Sequence, residues 1–133
     1  TNQKINLYKS LNVERGMWNH DINTWNFHGF KGRKLADLYL NKLFTLCKEN
    51  NIKFTLAIYP WPVHIFYEHD PSFHRDYWID WAKNKNIKII DFFEYFLKEN
   101  PEELIEKYFI NGDIHWNEEG HNFIYKILVK EYF

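Results

Sequence analysis

The sequence predicts an α/β fold built on a parallel sheet. Two short apolar runs typical of strands alternate with segments of helical periodicity, in the order helix, strand, helix, strand, helix. The first run is almost uninterrupted, as expected for a strand that helices cover on both faces. Parallel strands in this order require a right-handed crossover between them. The length of 133 residues suits one domain with a modest core.

The first half of the chain is expected to hold one helix and one strand. Residues 1–33 are rich in Asn, Trp and Gly without a clear period, so we expect an irregular lead-in. Residues 34–49 show helical spacing that indicates one buried face, formed by Ala36, Tyr39, Leu40, Leu43, Phe44 and Cys47. Residues 54–59 form the first predicted strand, which Pro60 and Pro62 end.

The second half is expected to continue the alternation. Residues 60–71 predict a long aromatic loop, and Ser72 has the position of an N-cap for a helix that runs to about residue 85. Residues 87–91 predict the second strand, whose Asp91 is expected to cap the next helix. Residues 92–99 and 101–109 predict two short helices, with Pro101 in the first turn. The last helix, 118–132, is expected to bury Phe123, Ile124, Ile127 and Leu128.

A sheet of two buried parallel strands is expected to be incomplete. Such a pair leaves two apolar edges unpaired, so it needs more strands from upstream sequence or a contact with a second copy. The chain begins at Thr1, and its one methionine is Met17. We therefore expect residues 1–133 to be a single partial domain that lacks strands on its N-terminal side.

Composition excludes several classes of function. The net charge is −1, and no basic run stands out among the 17 basic and 18 acidic residues, so nucleic-acid binding has no electrostatic support. No apolar stretch approaches the roughly 20 residues of a membrane-spanning helix. The single cysteine excludes an internal disulfide.

The segment Gly112-Asp113-Ile114-His115-Trp116-Asn117 carries the strongest chemical signal. Residues i and i+2 of an extended segment project to the same side, so Asp113 can reach the near ring nitrogen of His115. The far nitrogen is then able to accept a proton from a hydroxyl nucleophile. We expect Trp116 to shield the pair from water and Asn117 to cap the last helix.

A nucleophile that completes this pair is missing from the sequence. Serine nucleophiles sit on sharp turns, usually beside a glycine. The two serines are Ser10, which has no nearby glycine, and Ser72, which has the position of a helix cap. Cys47 lies in an apolar helical stripe, where an inert buried thiol is the common outcome.

The order of these elements resembles the C-terminal half of SGNH/GDSL-type hydrolases. The likeness covers about residues 34–133, and Asp113-x-His115-Trp-Asn117-x-x-Gly120 is its most specific part. It is closest to the branch that includes polysaccharide O-acetyltransferase-like and acetylesterase-like proteins. The resemblance implies a three-layer, flavodoxin-like parallel sheet, His115 as general base, Asp113 as its orienting acid, no cofactor or metal, and a periplasmic or extracellular location.

The resemblance also shows what this sequence lacks. The family's Gly-Asp-Ser element has no counterpart here. The family uses an Asn as an oxyanion donor, and Asn19 occupies roughly that place, although the spacing of its neighbouring glycine differs. Tyr59, Trp61 and His64 follow the first strand and are candidates for the substrate rim.

A histidine-rich stretch is the alternative metal site. It holds His64, His69, Asp70 and His74, but no two of its histidines have the i, i+4 spacing of a helical zinc site, so we expect solvated loop histidines and no metal.

Three functional hypotheses follow. The first is the C-terminal part of a serine esterase or O-acyltransferase that acts on an acyl ester, with a carbohydrate as a candidate carrier of the acyl group; its serine lies outside this chain. The second is a non-catalytic module with a degenerate fold of the same type that binds a glycan or a partner. The third is a metal-dependent hydrolase that uses the histidine-rich stretch.

Overall fold

The computed structural model describes residues 2–16, 18, 21–67, 72–98 and 100–132. In chain order the elements are helices α1 (Asn2–Leu11), α2 (Val13–Gly16) and α3 (Ile22–Glu49), strand β1 (Thr55–Ile58), helices α4 (Pro62–Phe66) and α5 (Phe73–Asn84), strand β2 (Lys88–Asp91), and helices α6 (Phe93–Phe96), α7 (Pro101–Tyr108) and α8 (Glu118–Tyr132). The protein is mixed helix and strand, and helix predominates. β1 and β2 form a parallel sheet that has no third strand within the described residues. No helix in that part of the chain has the length and apolar character needed to cross a membrane.

The chain divides into two compact units. Unit 1 takes its residues from Thr1–Met17, Ile58–Pro71 and Asp91–Phe133, and unit 2 from Trp18–Ala57 and Ser72–Ile90. The strands therefore begin in unit 2, and their last residues, Ile58 and Asp91, belong to unit 1.

The core of unit 1 is aromatic and aliphatic. The Phe96 ring lies 5.3 Å from the Phe123 ring and 6.0 Å from each of the Tyr108 and Phe109 rings, centroid to centroid. α8 buries Ile124 and Ile127 as predicted, whereas Phe123 and Leu128 are half-buried. Because these contacts join α6, α7 and α8, they fix the two segments that flank the loop between α7 and α8.

Unit 2 is built around tryptophans. Trp25, Trp78 and Trp81 are buried, and the Trp81 indole Nε1 donates to Asp37 Oδ1 at 2.5 Å. α5 begins as predicted, because Ser72 Oγ accepts the Arg75 amide at 3.2 Å. A hydrogen bond from a buried indole to a carboxylate of α3 joins α5 to that helix.

The lead-in that was expected to be irregular is helical, which corrects the boundary at residue 33. α3 begins at Ile22 because Asp21 caps it, with Oδ1 accepting the Thr24 amide at 2.6 Å. Gly29 and Gly32 each cost a helix about 1 kcal/mol relative to alanine, which obscured the helical signal. The cap and the burial of Trp25 offset that cost.

A second correction concerns the aromatic loop expected at residues 60–71. It contains α4, in which Pro62 occupies the first turn and His64 Nδ1 accepts the Trp61 amide at 2.8 Å. Proline is preorganised for a first turn, so the two prolines that end β1 also allow a helix to start.

The third correction concerns the face of the helix predicted at 34–49. That face was expected to be buried, but Tyr39 and Leu43 are exposed, and Ala36, Leu40, Phe44 and Cys47 are half-buried. In β1, Ala57 is also exposed, so the strand is not covered on both faces. The apolar surface that the sequence pattern predicts is present, but the described residues do not fully cover it.

Candidate functional site

The loop between α7 and α8 is a closed turn. Phe109 and Trp116 pair as an antiparallel bridge, and the Ile110 amide donates to the His115 carbonyl at 2.9 Å. The Asp113 amide donates to the Ile110 carbonyl at 2.9 Å, and Gly112 has φ +81°. Glycine adopts this left-handed conformation without a steric penalty, so the turn can reverse there. The turn holds the two candidate catalytic residues in a defined geometry.

Asp113 and His115 are in contact. Asp113 Oδ1 lies 2.7 Å from His115 Nδ1, and it also accepts the backbone amides of Ile114 at 2.6 Å and His115 at 3.2 Å. The hydrogen bond with the His115 ring, followed by that with the Ile114 amide, lowers the pKa of Asp113 below its usual value. The pair forms through a bend rather than through the extended segment we expected.

The pair is open to solvent. The side chain of His115 is 73% exposed and that of Asp113 is 46% exposed, so the expectation that Trp116 shields them is wrong. Trp116 packs instead against Tyr59 and Phe92, which follow the two strands. A solvated pair interacts weakly, because water screens the charges that an enclosed active site would leave unscreened.

Trp116 places the turn at the carboxyl ends of both strands. Its ring centroid lies 4.6 Å from that of Tyr59 and 6.4 Å from that of Phe92, which are the residues that follow β1 and β2. The Phe92 amide donates to the Ile58 carbonyl at 2.9 Å, so the strand ends lie side by side. Parallel-sheet folds bind their ligands at this edge.

Asn117 and Gly120 complete the motif for structural reasons. Asn117 Oδ1 accepts the Gly120 amide at 2.9 Å and caps α8 as predicted, while its Nδ2 donates to the carbonyls of Lys107 at 2.9 Å and Phe109 at 3.1 Å. A Cβ at Gly120 would collide with the Tyr108 carbonyl oxygen, which accepts the Asn117 amide at 3.0 Å. The Asn and the Gly thus lock the turn between α7 and α8.

Ser10 contacts the turn that carries Asp113 and His115, a contact that the sequence did not predict. Its side chain is buried, and its Oγ accepts the Gly112 amide at 3.0 Å. This bond fixes the residue next to Asp113 to helix α1. The two partners are 102 residues apart in the chain, so no local pattern signals the contact. The structure makes Ser10 an anchor of the turn.

The other candidates lie in different settings. Tyr59 is exposed and packs on Trp116, so it is beside the turn as expected for a rim residue. Trp61 is half-buried at the start of α4. His64 is buried in the core of unit 1, with its ring 5.7 Å from that of Phe93, so it does not lie on an open rim. Asn19, the candidate oxyanion donor, lies outside the described residues.

The histidine-rich stretch is not a set of solvated loop residues. His64 is buried, and His74 packs edge-on against Trp18 and Trp78 at centroid distances of 5.6 and 6.3 Å. Burial lowers the pKa of His74 to about 4. His69 and Asp70 lie outside the described residues.

Asp91 has the capping role expected of it. Its Oδ1 accepts the Phe93 amide at 3.0 Å, at the start of α6. Among the residues that the structure describes, no three His, Cys, Asp or Glu side chains are grouped so as to hold a metal ion.

Comparisons of the chain with protein-family models, with curated proteins and with solved structures found no match. Its function is therefore inferred from the turn that carries Asp113 and His115.

Proposed function

We propose that this chain supplies the acid and the base of a Ser-His-Asp centre of the SGNH type, in an esterase or O-acyltransferase whose serine lies outside these residues. The observation that carries the proposal is the 2.7 Å contact between Asp113 Oδ1 and His115 Nδ1 at the carboxyl ends of two parallel strands. A carboxylate at Nδ1 favours the tautomer in which Nε2 accepts a proton.

The proposed reaction begins with proton transfer. His115 Nε2 takes the serine proton as the serine oxygen attacks the acyl carbon, and Asp113 stabilises the resulting imidazolium. The tetrahedral intermediate collapses, the ester's alcohol leaves with the proton from His115, and an acyl-serine results. Water or a sugar hydroxyl then attacks the acyl carbon as His115 takes its proton, and the serine oxygen leaves with that proton, which gives the free acid or the acylated sugar and restores the serine.

We propose that further strands complete a three-layer, flavodoxin-like sheet. Two features support this: the described part of the sheet has two strands, and α3 carries exposed apolar side chains. Sequence upstream of this chain or a second copy would supply the strands. The 73% exposure of His115 fits the same proposal, since the added layer would exclude water from the imidazole.

Replacement of His115 in a protein that includes the serine-bearing strand tests the mechanism. We expect His115→Ala to lower kcat for p-nitrophenyl acetate by at least about 1,000-fold, because the general base is lost. His121→Ala is the matched control: His121 is exposed in the first turn of α8, with its ring 5.7 Å from that of Trp116, and its loss should leave kcat within about twofold.

Near-normal turnover of His115→Ala would remove this residue from the mechanism. Absence of turnover in the unaltered protein would instead favour the non-catalytic module.

The 133-residue chain alone supplies a second test. We expect no labelling by a fluorophosphonate, because Ser10 is buried against Gly112 and Ser72 Oγ caps α5. The measurement is mass spectrometry of the intact chain after incubation with the reagent. Stoichiometric labelling at either serine would show that the chain carries its own nucleophile.

A further inference from the structure

A cavity of about 270 Å³ lies in unit 2, on the N-terminal half of α3. Its walls are formed by Trp18, His28, Gly29, Gly32 and Arg33, which we call the Gly32 pocket. Among these described lining residues are one cationic side chain, one imidazole and one indole, and none of the five is acidic. The Gly32 pocket belongs to unit 2, whereas Asp113 and His115 belong to unit 1.

The two glycines of the pocket have different explanations. A Cβ at Gly29 would come within 3.2 Å of the Trp18 ring and 2.9 Å of an Arg33 nitrogen, so a larger residue there would displace the Arg33 guanidinium and press on the Trp18 ring. A Cβ at Gly32 would meet nothing within 4 Å. Glycine in a helix interior costs about 1 kcal/mol relative to alanine, and the described structure offers no packing gain at Gly32 in return. What the missing side chain does provide is open space in the pocket.

Arg33 is held in place at the edge of this space. Its guanidinium carbon lies 3.8 Å from the centre of the Trp25 ring, and Nη1 donates to the Trp25 carbonyl. Asp37, one turn further along α3, accepts hydrogen bonds from Trp81 and Asn41 instead. Guanidinium groups have five N–H donors, and in the described part of the chain only the Trp25 carbonyl accepts from Arg33.

Trp18 forms a flat apolar wall. It stacks on Trp25 with centroids 5.3 Å apart and an angle of 12° between the ring planes. Since Trp25 is buried, this stack fixes one face of the Trp18 indole in the unit. A rigid aromatic face beside a preorganised cation is suited to a ligand that has both a planar apolar part and a negative charge.

We propose that the Gly32 pocket binds a small planar organic anion, whose carboxylate pairs with Arg33 and whose apolar body lies between Trp18 and the bare helix backbone at Gly32. A volume of about 270 Å³ is near the lower end of the roughly 300–1,000 Å³ of small-molecule pockets, which suits an aryl carboxylate with one or two rings. His28 lines the pocket and can donate a second hydrogen bond to the carboxylate.

The first experiment is a titration of the chain with 2-naphthoate, followed by isothermal calorimetry and by tryptophan emission. The uncharged 2-naphthamide has the same shape and serves as the matched ligand. We expect naphthoate to bind at least about tenfold more tightly than naphthamide, because only the carboxylate forms an ion pair with Arg33. Equal affinity of the two ligands would overturn the proposal.

Gly32→Ala separates binding from folding. The added methyl group meets no protein atom and improves the helix, so thermal stability should be retained or raised. The same methyl group occupies the pocket, so the affinity for naphthoate should fall at least about tenfold. A stable Gly32→Ala variant that binds naphthoate as the unaltered chain does would refute the proposed site.

Arg33→Gln and Lys31→Gln test the charge. The first should reduce naphthoate affinity to that of naphthamide, and the second, which removes an exposed cation of α3 that is not part of the pocket, should leave it within about twofold. Unchanged binding by Arg33→Gln contradicts the ion pair. If this variant does not fold, the Gly32→Ala result decides.

Discussion

The contact between Asp113 and His115 affects the pKa of Asp113 more than it affects the free energy of unfolding. Exposed ion pairs add little to the free energy of unfolding, and both side chains are substantially exposed. The hydrogen bond with His115 nevertheless lowers the pKa of Asp113, with a further contribution from the Ile114 amide. The carboxylate is therefore ionised over the whole pH range in which an imidazole changes its charge.

His115→Ala should raise the pKa of Asp113 towards its ordinary value, because the largest cause of its lowering is removed. Carbon-13 chemical shifts of the side-chain carboxyl groups, recorded across acidic pH, measure this. The pKa of Asp21 is also low, because of hydrogen bonds with Thr24, and should not move. If the titration curve of Asp113 is the same in the unaltered chain and in His115→Ala, the 2.7 Å contact is not formed in solution.

The burial of His74 is expected to make the stability of the protein depend on pH. Burial lowers its pKa from 6.5 to about 4, so between these values the unfolded chain binds a proton that the folded chain does not. The contribution of neutral His74 to the free energy of unfolding is therefore fully present above about pH 6.5. It decreases by about 3 kcal/mol as the pH falls towards 4.

Urea unfolding between pH 7 and pH 4 checks this, with His74→Phe as the variant that keeps an aromatic ring between Trp18 and Trp78. Its loss of stability over the interval should be smaller than that of the unaltered chain. Equal pH dependence in the two proteins would show that His74 titrates normally when folded.

At the level of the element, the cap of α8 has two separable parts. Asn117 Oδ1 accepts the Gly120 amide, and Nδ2 donates to the carbonyls of Lys107 and Phe109. Asn117→Asp keeps the first interaction and removes the second, whereas Asn117→Ala removes both. We expect losses of about 1 kcal/mol for Asp and about 2–3 kcal/mol for Ala, measured by urea unfolding.

Asn100 is the matched control, since it caps α7 through Oδ1, which accepts the amides of Glu102 and Glu103. Asn100→Asp should change stability by no more than about 0.5 kcal/mol. If Asn117→Asp and Asn100→Asp change stability equally, the two hydrogen bonds that Asn117 Nδ2 donates add nothing to the free energy of unfolding.

The elements that sequence predicted are those with local signals. β1 and β2 are apolar runs, α5 and α8 have side-chain caps, and Pro101 opens α7, so each boundary is encoded within a few residues. The sequence does not predict α4, because prolines that end a strand can also begin a helix. The first 12 residues of α3 were missed because two glycines masked their period.

The same distinction applies to the site. Asp113 and His115 are two residues apart, so their contact was predictable from a short stretch of sequence, although a bend and not an extended segment brings them together. Ser10 and the Gly112 amide lie 102 residues apart in the chain, and the Gly32 pocket lies on the first part of α3, whose helical period the sequence does not show. Exposure was also unpredictable, because the direction in which Trp116 packs depends on Tyr59 and Phe92, which other segments supply.

At the scale of the whole molecule, the apolar surface of α3 is the main feature without an internal explanation. In its segment 35–46, five large apolar side chains are between 45% and 62% exposed: Leu35, Leu38, Tyr39, Leu43 and Leu46. Their spacing of three and four residues puts them on one side of the helix, which we call the α3 apolar face. Contiguous apolar surfaces of this kind usually mark a contact with another segment or another molecule.

The α3 apolar face predicts that the 133-residue chain self-associates as its concentration rises, because a second copy can cover the surface that this sequence leaves open. Sedimentation velocity should show species heavier than the 16.5 kDa monomer. The double change Leu35→Glu and Leu46→Glu should shift the chain towards monomer, since it places charges in the contact. Tyr125→Glu alters a tyrosine of α8 that is 64% exposed and lies outside this face, and it should leave the distribution unchanged. A chain that stays monomeric at high concentration and binds no anilinonaphthalene sulfonate would contradict the prediction, because the α3 apolar face would then not behave as an open apolar surface.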